Sequence, residues 1–281
     1  MTEWDMSDTA HILDDAEFAD GDFVLVSADG VRFRTASYQL LWASHALRDA
    51  AAASSANERS ITFTDAEIES ADILRAFLRF ITSGVLPVSR KKMGNPTNGL
   101  DRLPRLVRFL EKYQCHTAQR FAMVCVREGL RRGVCSPLCA FVTGATVGDD
   151  VTVTAALGAD PQTWGASSAA ESKALVMSAF KVNPFGDEAK ASLEEGDEDA
   201  HVLDPSSMPF IAWSQTPGEY IWALSRAWKK ARGPDGKGEG DLLWYFEELL
   251  RAAKDTSILA LTTRQSTRPD SIPSVIGLST A

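Results

Sequence analysis

Four cysteines, four histidines and one glycine-lysine loop are the residues of this chain whose types could carry chemistry. Cys135 and Cys139 stand one helical turn apart and His116 follows Cys115, so zinc donors are present. No CxxC or HxxxH spacing joins them, and zinc sites are built on such pairs. Free thiols in a reducing compartment are the expectation, with Cys125 serving as a small hydrophobe in an apolar helical pattern. Nucleophilic catalysis needs a histidine with a nucleophile and an orienting acid in reach. His11, His45, His116 and His201 are scattered, and none lies in a nucleophile motif. The stretch around Gly233, Gly236 and Lys237 has part of the form of a phosphate loop. Ala231 stands where its first glycine belongs, Gly238 stands where a hydroxyl would hold the metal, and a helical pattern precedes it. Of the paired acids, Asp149-Asp150 suits the opening turn of a helix, where the macrodipole favours negative charge. Glu247-Glu248 falls on the outer side of the last helix. These readings lead to the expectation of no cofactor, no metal and no enzyme.

Charge and hydropathy narrow the remaining classes. The net charge of the 281 residues is −9, and the basic clusters Arg90-Lys91-Lys92, Arg131-Arg132 and Lys229-Lys230 are short. That makes no continuous basic field, so no nucleic-acid partner is expected. No apolar run approaches the roughly 20 residues of a membrane helix, so no membrane partner is expected either. The first residues are acidic without Lys or Arg, unlike a secretory or mitochondrial leader, which leaves cytoplasm or nucleus as the expected compartment. Apolar residues make up 44% and charged residues 24%, the composition of a chain with a real core.

The elements that must position any site are best marked between residues 22 and 130. Phe23 to Val26 is a short apolar run, Asp29-Gly30 is a turn signal, and Val31, Phe33 and Thr35 alternate with Arg32 and Arg34. Ser37 and Ser44 suit the caps of two short helices. Ile61 to Thr64 alternates as a third strand. Ile73, Leu74, Phe77, Leu78 and Ile81 recur at helical spacing before the stop at Ser83-Gly84. Two further helices are expected over 101–113, with Leu103, Leu106, Val107 and Leu110 on one face, and over 118–130, through Phe121, Val124, Cys125 and Glu128. From 136 onward the pattern is helical only. Ser136-Pro137 reads as a cap and first helical position, Ser168 to Glu171 and Thr216 to Glu219 match capping boxes, and Asp241 suits the cap of the last helix. Ile221, Leu224 and Trp228 would form one face of the helix behind Thr216. The expected organisation is an acidic arm over 1–21, a unit over 22–130, a helical extension over 131–255 with an exposed acidic loop near 186–204, and a flexible tail over 256–281.

The ordered combination in 22–130 resembles the BTB/POZ domain, in particular the degenerate versions of fungal proteins. Asp22-Phe23-Val24-Leu25 matches the family's opening strand, and Phe33 its aromatic. Leu40, Ser44, Leu47, Arg48 and Asp49 match its helical pair. The strand at Ile61 to Thr64, the helix ending Phe80-Ile81 and the helix ending Lys112-Tyr113 follow in the family's order. The match covers a little over a third of the chain. The resemblance implies an α+β fold, a BTB/POZ-like small sheet surrounded by helices, followed here by an all-helical C-terminal region.

It also implies a function and a surface. In BTB dimers an aspartate like Asp22 pairs with a basic residue at the interface, but here the family's histidine is Ala36 and the basic residue is Ser37. An unpaired buried carboxylate is costly, so Asp22 is expected to be solvated, capped by amides or paired with another group. Asp22, Tyr38 and Trp42 form the candidate interface. The implied role is a non-enzymatic protein–protein interaction module, self-associating as a homodimer or acting as an adaptor or scaffold for a cullin ubiquitin ligase or a transcription complex. The alternative is an enzyme or small-ligand binder with its site in the C-terminal helical region, since function can be grafted onto any fold.

Overall fold

The computed structural model describes residues 12–53, 60–86, 99–159, 201–205, 208–232 and 240–266. The fold is α+β and mostly helical: one four-stranded sheet and ten helices among the described residues. The chain divides into two compact units, Met1–Pro217 and Gly218–Ala281.

The sheet of the first unit begins from a hairpin. Strands β2 (Phe23–Val26) and β3 (Val31–Thr35) pair antiparallel, with Val26 opposite Arg32. The Ser27 amide donates to the Val31 carbonyl and closes the hairpin on a three-residue loop, Ala28-Asp29-Gly30, in which only Gly30 has positive φ, at 80°. That matches the three-residue hairpin in which a glycine takes the left-handed position. Alternation along the hairpin buries Phe23, Leu25, Phe33 and Thr35 and leaves Arg34 in water. Strand β4 (Ser60–Thr62) joins parallel to β2, and β1 (Leu13–Asp14) joins parallel to β3, giving the order β1-β3-β2-β4.

Between β3 and β4 lie α1 (Ser37–Ala43) and α2 (His45–Ala53). Ser44 separates them: its Oγ accepts from the Leu47 amide at 3.0 Å and donates to the Tyr113 carbonyl at 2.5 Å. Next come α3 (Ala71–Ser83), α4 (Leu103–Lys112), α5 (His116–Arg131), α6 (Pro137–Thr146), α7 (Asp150–Leu157) and the short α8 (Phe210–Gln215). Helix α3 ends at Gly84 in the left-handed conformation, and its Ile73, Leu74, Phe77 and Leu78 are fully buried. Leu103, Leu106, Val107 and Leu110 of α4 are buried as their spacing predicts. Phe109 sits 4.9 Å from Phe77 and 5.8 Å from Phe63, ring centre to ring centre, which ties α3, α4 and the chain after β4 into one core. Ser136 caps α6 through the Cys139 amide.

Several expectations are corrected. Residues 12–18 are not a separate arm: β1 pairs with β3, and Asp15 is buried against Arg75 at 2.5 Å. The boundary between compact units falls at 217/218 and not at 130/131, because α6 is buried along its length and packs on α4, α5 and α7. Helix α5 has the right period but another phase. Ala122, Met123 and Val126 face the core, while Phe121 and Val124 are half exposed. Phe121 turns instead to stack on Phe80 of α3 at 5.5 Å. At the end of the acidic stretch, Val202, Leu203 and Asp204 are buried, so residues 202–204 are not exposed loop; 186–200 lie outside the described residues. The Thr216 hydroxyl does not open a capping box but turns back to donate to the Ala212 carbonyl at 2.7 Å. The Ser168 box lies outside the described residues.

The described residues of the second unit form a helix pair, α9 (Gly218–Arg232) and α10 (Leu242–Ser266). Asp241 accepts from the Trp244 amide at 3.1 Å, the expected cap. In α9 Leu224 is buried as predicted, but the rest of the buried face is Tyr220, Ala223 and Ala227, with Ile221 and Trp228 only half-buried. Helix α10 continues past 255 to Ser266, so the expected tail starts as helix; extension costs little once a helix is nucleated. Residues 267–281 lie outside the described residues. Among the described residues no helix is long and apolar enough to cross a membrane.

Candidate interaction surface

Helix α1 carries two of the three candidate interface residues, and the chain around it fixes how they are presented. Leu40 and Ala43 turn inward and are buried. Tyr38 and Trp42, four residues apart, share the opposite face and remain 71% and 76% exposed. Both ends of the helix are tied down. At the N-terminus Asp22 accepts from the Ser37 amide at 2.7 Å and from the Ser37 hydroxyl at 2.6 Å. At the C-terminus the Arg48 guanidinium donates to the Leu41 carbonyl from Nε at 3.0 Å and Nη2 at 2.8 Å. Asp22 is therefore exposed and capped by an amide and a hydroxyl, one of the arrangements its sequence left open. The structure brings Asp22, Tyr38 and Trp42 to a single helix, the carboxylate at its first turn and the aromatics along its outer side.

A seven-residue helix has no stability of its own in water. It holds two large aromatics in solvent only because the caps and the Leu40 anchor fix it. Aromatic side chains of this type dominate protein–protein contacts, since they bring large apolar area with few rotatable bonds. Ile12 and Leu13, at the β1 edge of the sheet, are also exposed among the described residues, an apolar surface that the sequence did not flag. Their only signal is an apolar pair standing in an otherwise acidic stretch.

A depression of about 440 Å³ lies over α5 and the turn before α7, lined by Arg120, Met123, Val124, Arg127, Val147 and Asp149 among others. Two of its polar groups pair: Arg127 donates to Asp149 and to the neighbouring Thr152, each at 2.8 Å, and Thr152 donates to Asp149 at 2.6 Å. The four cysteines are free. Burial pushes the Cys115 thiol up to about 12 and also raises Cys125. Cys139 is raised by its hydrogen bond with Cys135 and by burial. Thiols held this way are poor nucleophiles and poor metal ligands at neutral pH. Among the described residues no cluster of His, Cys, Asp and Glu could hold a metal ion. His45 and His116 open α2 and α5, and His201 accepts the Leu203 amide at Nδ1. Gly233, Gly236 and Lys237 lie outside the described residues.

A buried acid is committed to structure. Glu69 receives the Thr64 and Asp65 amides, the Tyr113 hydroxyl at 2.5 Å and the Lys112 ammonium at 2.5 Å. Burial pushes its carboxyl up, but the Lys112 and Tyr113 hydrogen bonds and the amides outweigh it and leave it below the usual range. Burial and the Glu69 carboxylate hold the Tyr113 phenol neutral far above its ordinary range.

No protein-family model matches the chain, and no curated protein and no solved structure is significantly similar to it.

Proposed function

We propose that the chain is a non-enzymatic protein-interaction module of BTB/POZ type, acting as an adaptor or scaffold. The observation that carries the reading is the anchored α1 helix with Tyr38 and Trp42 held in solvent. The element order from residue 22 onward supports it as well: β2, β3, the helix pair α1 and α2, β4, then helices, the order in which the matched residues of the resemblance fall. The partners to expect are a second copy of the chain, a cullin-type ligase scaffold or a transcription complex. The alternative of a ligand site in the C-terminal helices gains little from the depression beside α5, where Arg127 and Asp149 already pair with each other.

The test is a full-length bait in native-cell lysate, read by mass spectrometry against a Tyr38→Ala/Trp42→Ala bait. The wild type retrieves a reproducible set, including a cullin if the chain is a ligase adaptor, and the double variant loses it. Equal sets from both baits, or none from either, overturn the reading. Both side chains are exposed, so the double variant keeps its stability to within about 0.5 kcal/mol per site, which thermal melting checks. Light scattering addresses self-association: a wild-type monomer at tens of micromolar removes the homodimer.

A further inference from the structure

Residues 13–18 lie along β3 and α3 the way a bound peptide lies on a receptor. Leu13 donates to the Gly30 carbonyl at 3.1 Å, Asp15 donates to the Arg32 carbonyl at 2.8 Å, and the Arg34 amide donates to the Phe18 carbonyl at 2.7 Å. Each acid meets its own guanidinium. Asp14 takes Nε and Nη2 of Arg32 at 2.5 and 3.0 Å. Asp15 takes Nε and Nη2 of Arg75 at 2.9 and 2.5 Å, and Glu17 pairs two-pronged with Arg79. The second Asp15 oxygen accepts the Glu17 and Phe18 amides, which folds the segment back so that Phe18 sits 6.3 Å from the Phe33 ring. Arg75 lies 5.7 Å above the other end of that contact, over Phe33.

Backbone pairing to a sheet edge gives affinity without sequence preference, and side-chain partners at fixed spacing supply the preference. Here the preference is acidic and aromatic: carboxylates at positions one, two and four, then a phenyl ring. The two-pronged carboxylate–guanidinium contact is the geometry for which arginine is chosen over lysine. Asp14, Glu17, Arg32 and Arg79 remain partly in water, and β1 is only two residues long. Contacts of that kind open locally at low cost.

We propose that the stripe of Arg32, Arg75 and Arg79 beside Phe33 is a docking site for an acidic, aromatic-ended segment of a partner protein, and that the chain's own residues 13–18 occupy it in cis. Tethering gives the internal segment an effective concentration in the millimolar range, so a partner gains the site only by displacing it. This site is separate from Tyr38 and Trp42 and does not depend on the function proposed for them.

The probe is a labelled peptide of residues 12–20, followed by anisotropy at low salt. Full-length Asp14→Asn/Asp15→Asn/Glu17→Gln binds it at least about tenfold more tightly than the wild type, because the internal competitor is weakened. Adding Arg75→Glu and Arg79→Glu abolishes the binding, and high salt weakens it. A folded triple variant that does not bind overturns the proposal. Where that variant fails to fold, amide hydrogen exchange on the wild type decides: excess peptide speeds exchange at Leu13 and Asp15 and leaves β2 unchanged. Unchanged exchange at Leu13 and Asp15 overturns the proposal. Self-association of the wild type that the free peptide dissolves would assign the stripe to a second copy and overturn the partner-protein assignment.

Discussion

Glu69 shows how one residue can join elements that the sequence keeps apart. Its carboxylate ties the backbone after β4 to the end of α4, and all its partners are donors. Glu69→Ala would take the acceptor from two amides and the Tyr113 hydroxyl and leave Lys112 with Asp65 alone, a loss of about 3 kcal/mol in urea unfolding. Its folded pKa lies below the ordinary glutamate value of 4.5, so the stability it adds is present above that value and fades as pH falls through the folded pKa. Asp15, lowered by Arg75 and two amides against the opposing effect of burial, acts in the same direction. The unfolding midpoint is therefore expected to fall below about pH 4.5, and Glu69→Gln to show a shallower fall. An equally steep acid limb in that variant would remove Glu69 from the account.

Two helices of the first unit are capped from a distance. The residue before α1 is Ala36, which has no side chain to cap with, and Asp22 takes that role; Ser70 before α3 makes no cap bond, and Asp29 of the hairpin loop accepts the Ala71 amide at 2.8 Å. The hairpin thus places a carboxylate at the positive end of each helix, where amides and dipole both favour it. Asp22→Ala is expected to cost about 1 kcal/mol, and Ser37→Ala in the same chain adds less than its own single cost because both touch one contact. Additive losses in a double-mutant cycle would contradict this. The entry to the hairpin is equally constrained. Gly21 has φ of 147°, and a Cβ there would lie 2.3 Å from the Thr35 backbone. Gly30 has open space around its missing Cβ. Gly21→Ala should therefore cost several times as much as Gly30→Ala, on the order of 3 against 1 kcal/mol, which paired thermal melts would reveal.

Across the whole molecule, what is buried and what is exposed separates structure from interaction. Cys115, Cys135 and Cys139 are buried, and Cys125 is half-buried. In a thiol titration of the native protein only Cys125 should react, slowly, and the other three only after denaturant; fast native reaction of more than one thiol would contradict the packing of α5 and α6. The exposed apolar groups show the opposite pattern. Tyr38 and Trp42 stand on a helix fixed at both ends, and Ile12 and Leu13 edge the sheet next to a stripe of guanidinium–carboxylate pairs. On the function proposed above, Tyr38 and Trp42 are the groups on the better-fixed element, since α1 is tied at both ends and β1 is two residues long.

The hairpin, the two serine caps at 44 and 136, the glycine stop at 84 and the buried faces of α3 and α4 could be read directly from the chain. Each depends on residues within about four positions of one another, the range over which helical and strand periodicity act. The coarse α+β class was expected from the resemblance, and the exposure of Tyr38 and Trp42 follows from their place on the face of α1 opposite Leu40. The phase of α5, the burial of 202–204, the docking of 12–18 and which of its open arrangements Asp22 takes were not legible, because each is decided by a partner far along the chain. Phe121 turns to Phe80, Asp15 to Arg75 and Ser37 to Asp22 only after the chain has closed those distances. Local spacing sets which elements form, and the packing of distant elements sets which side of each one stays in contact with solvent.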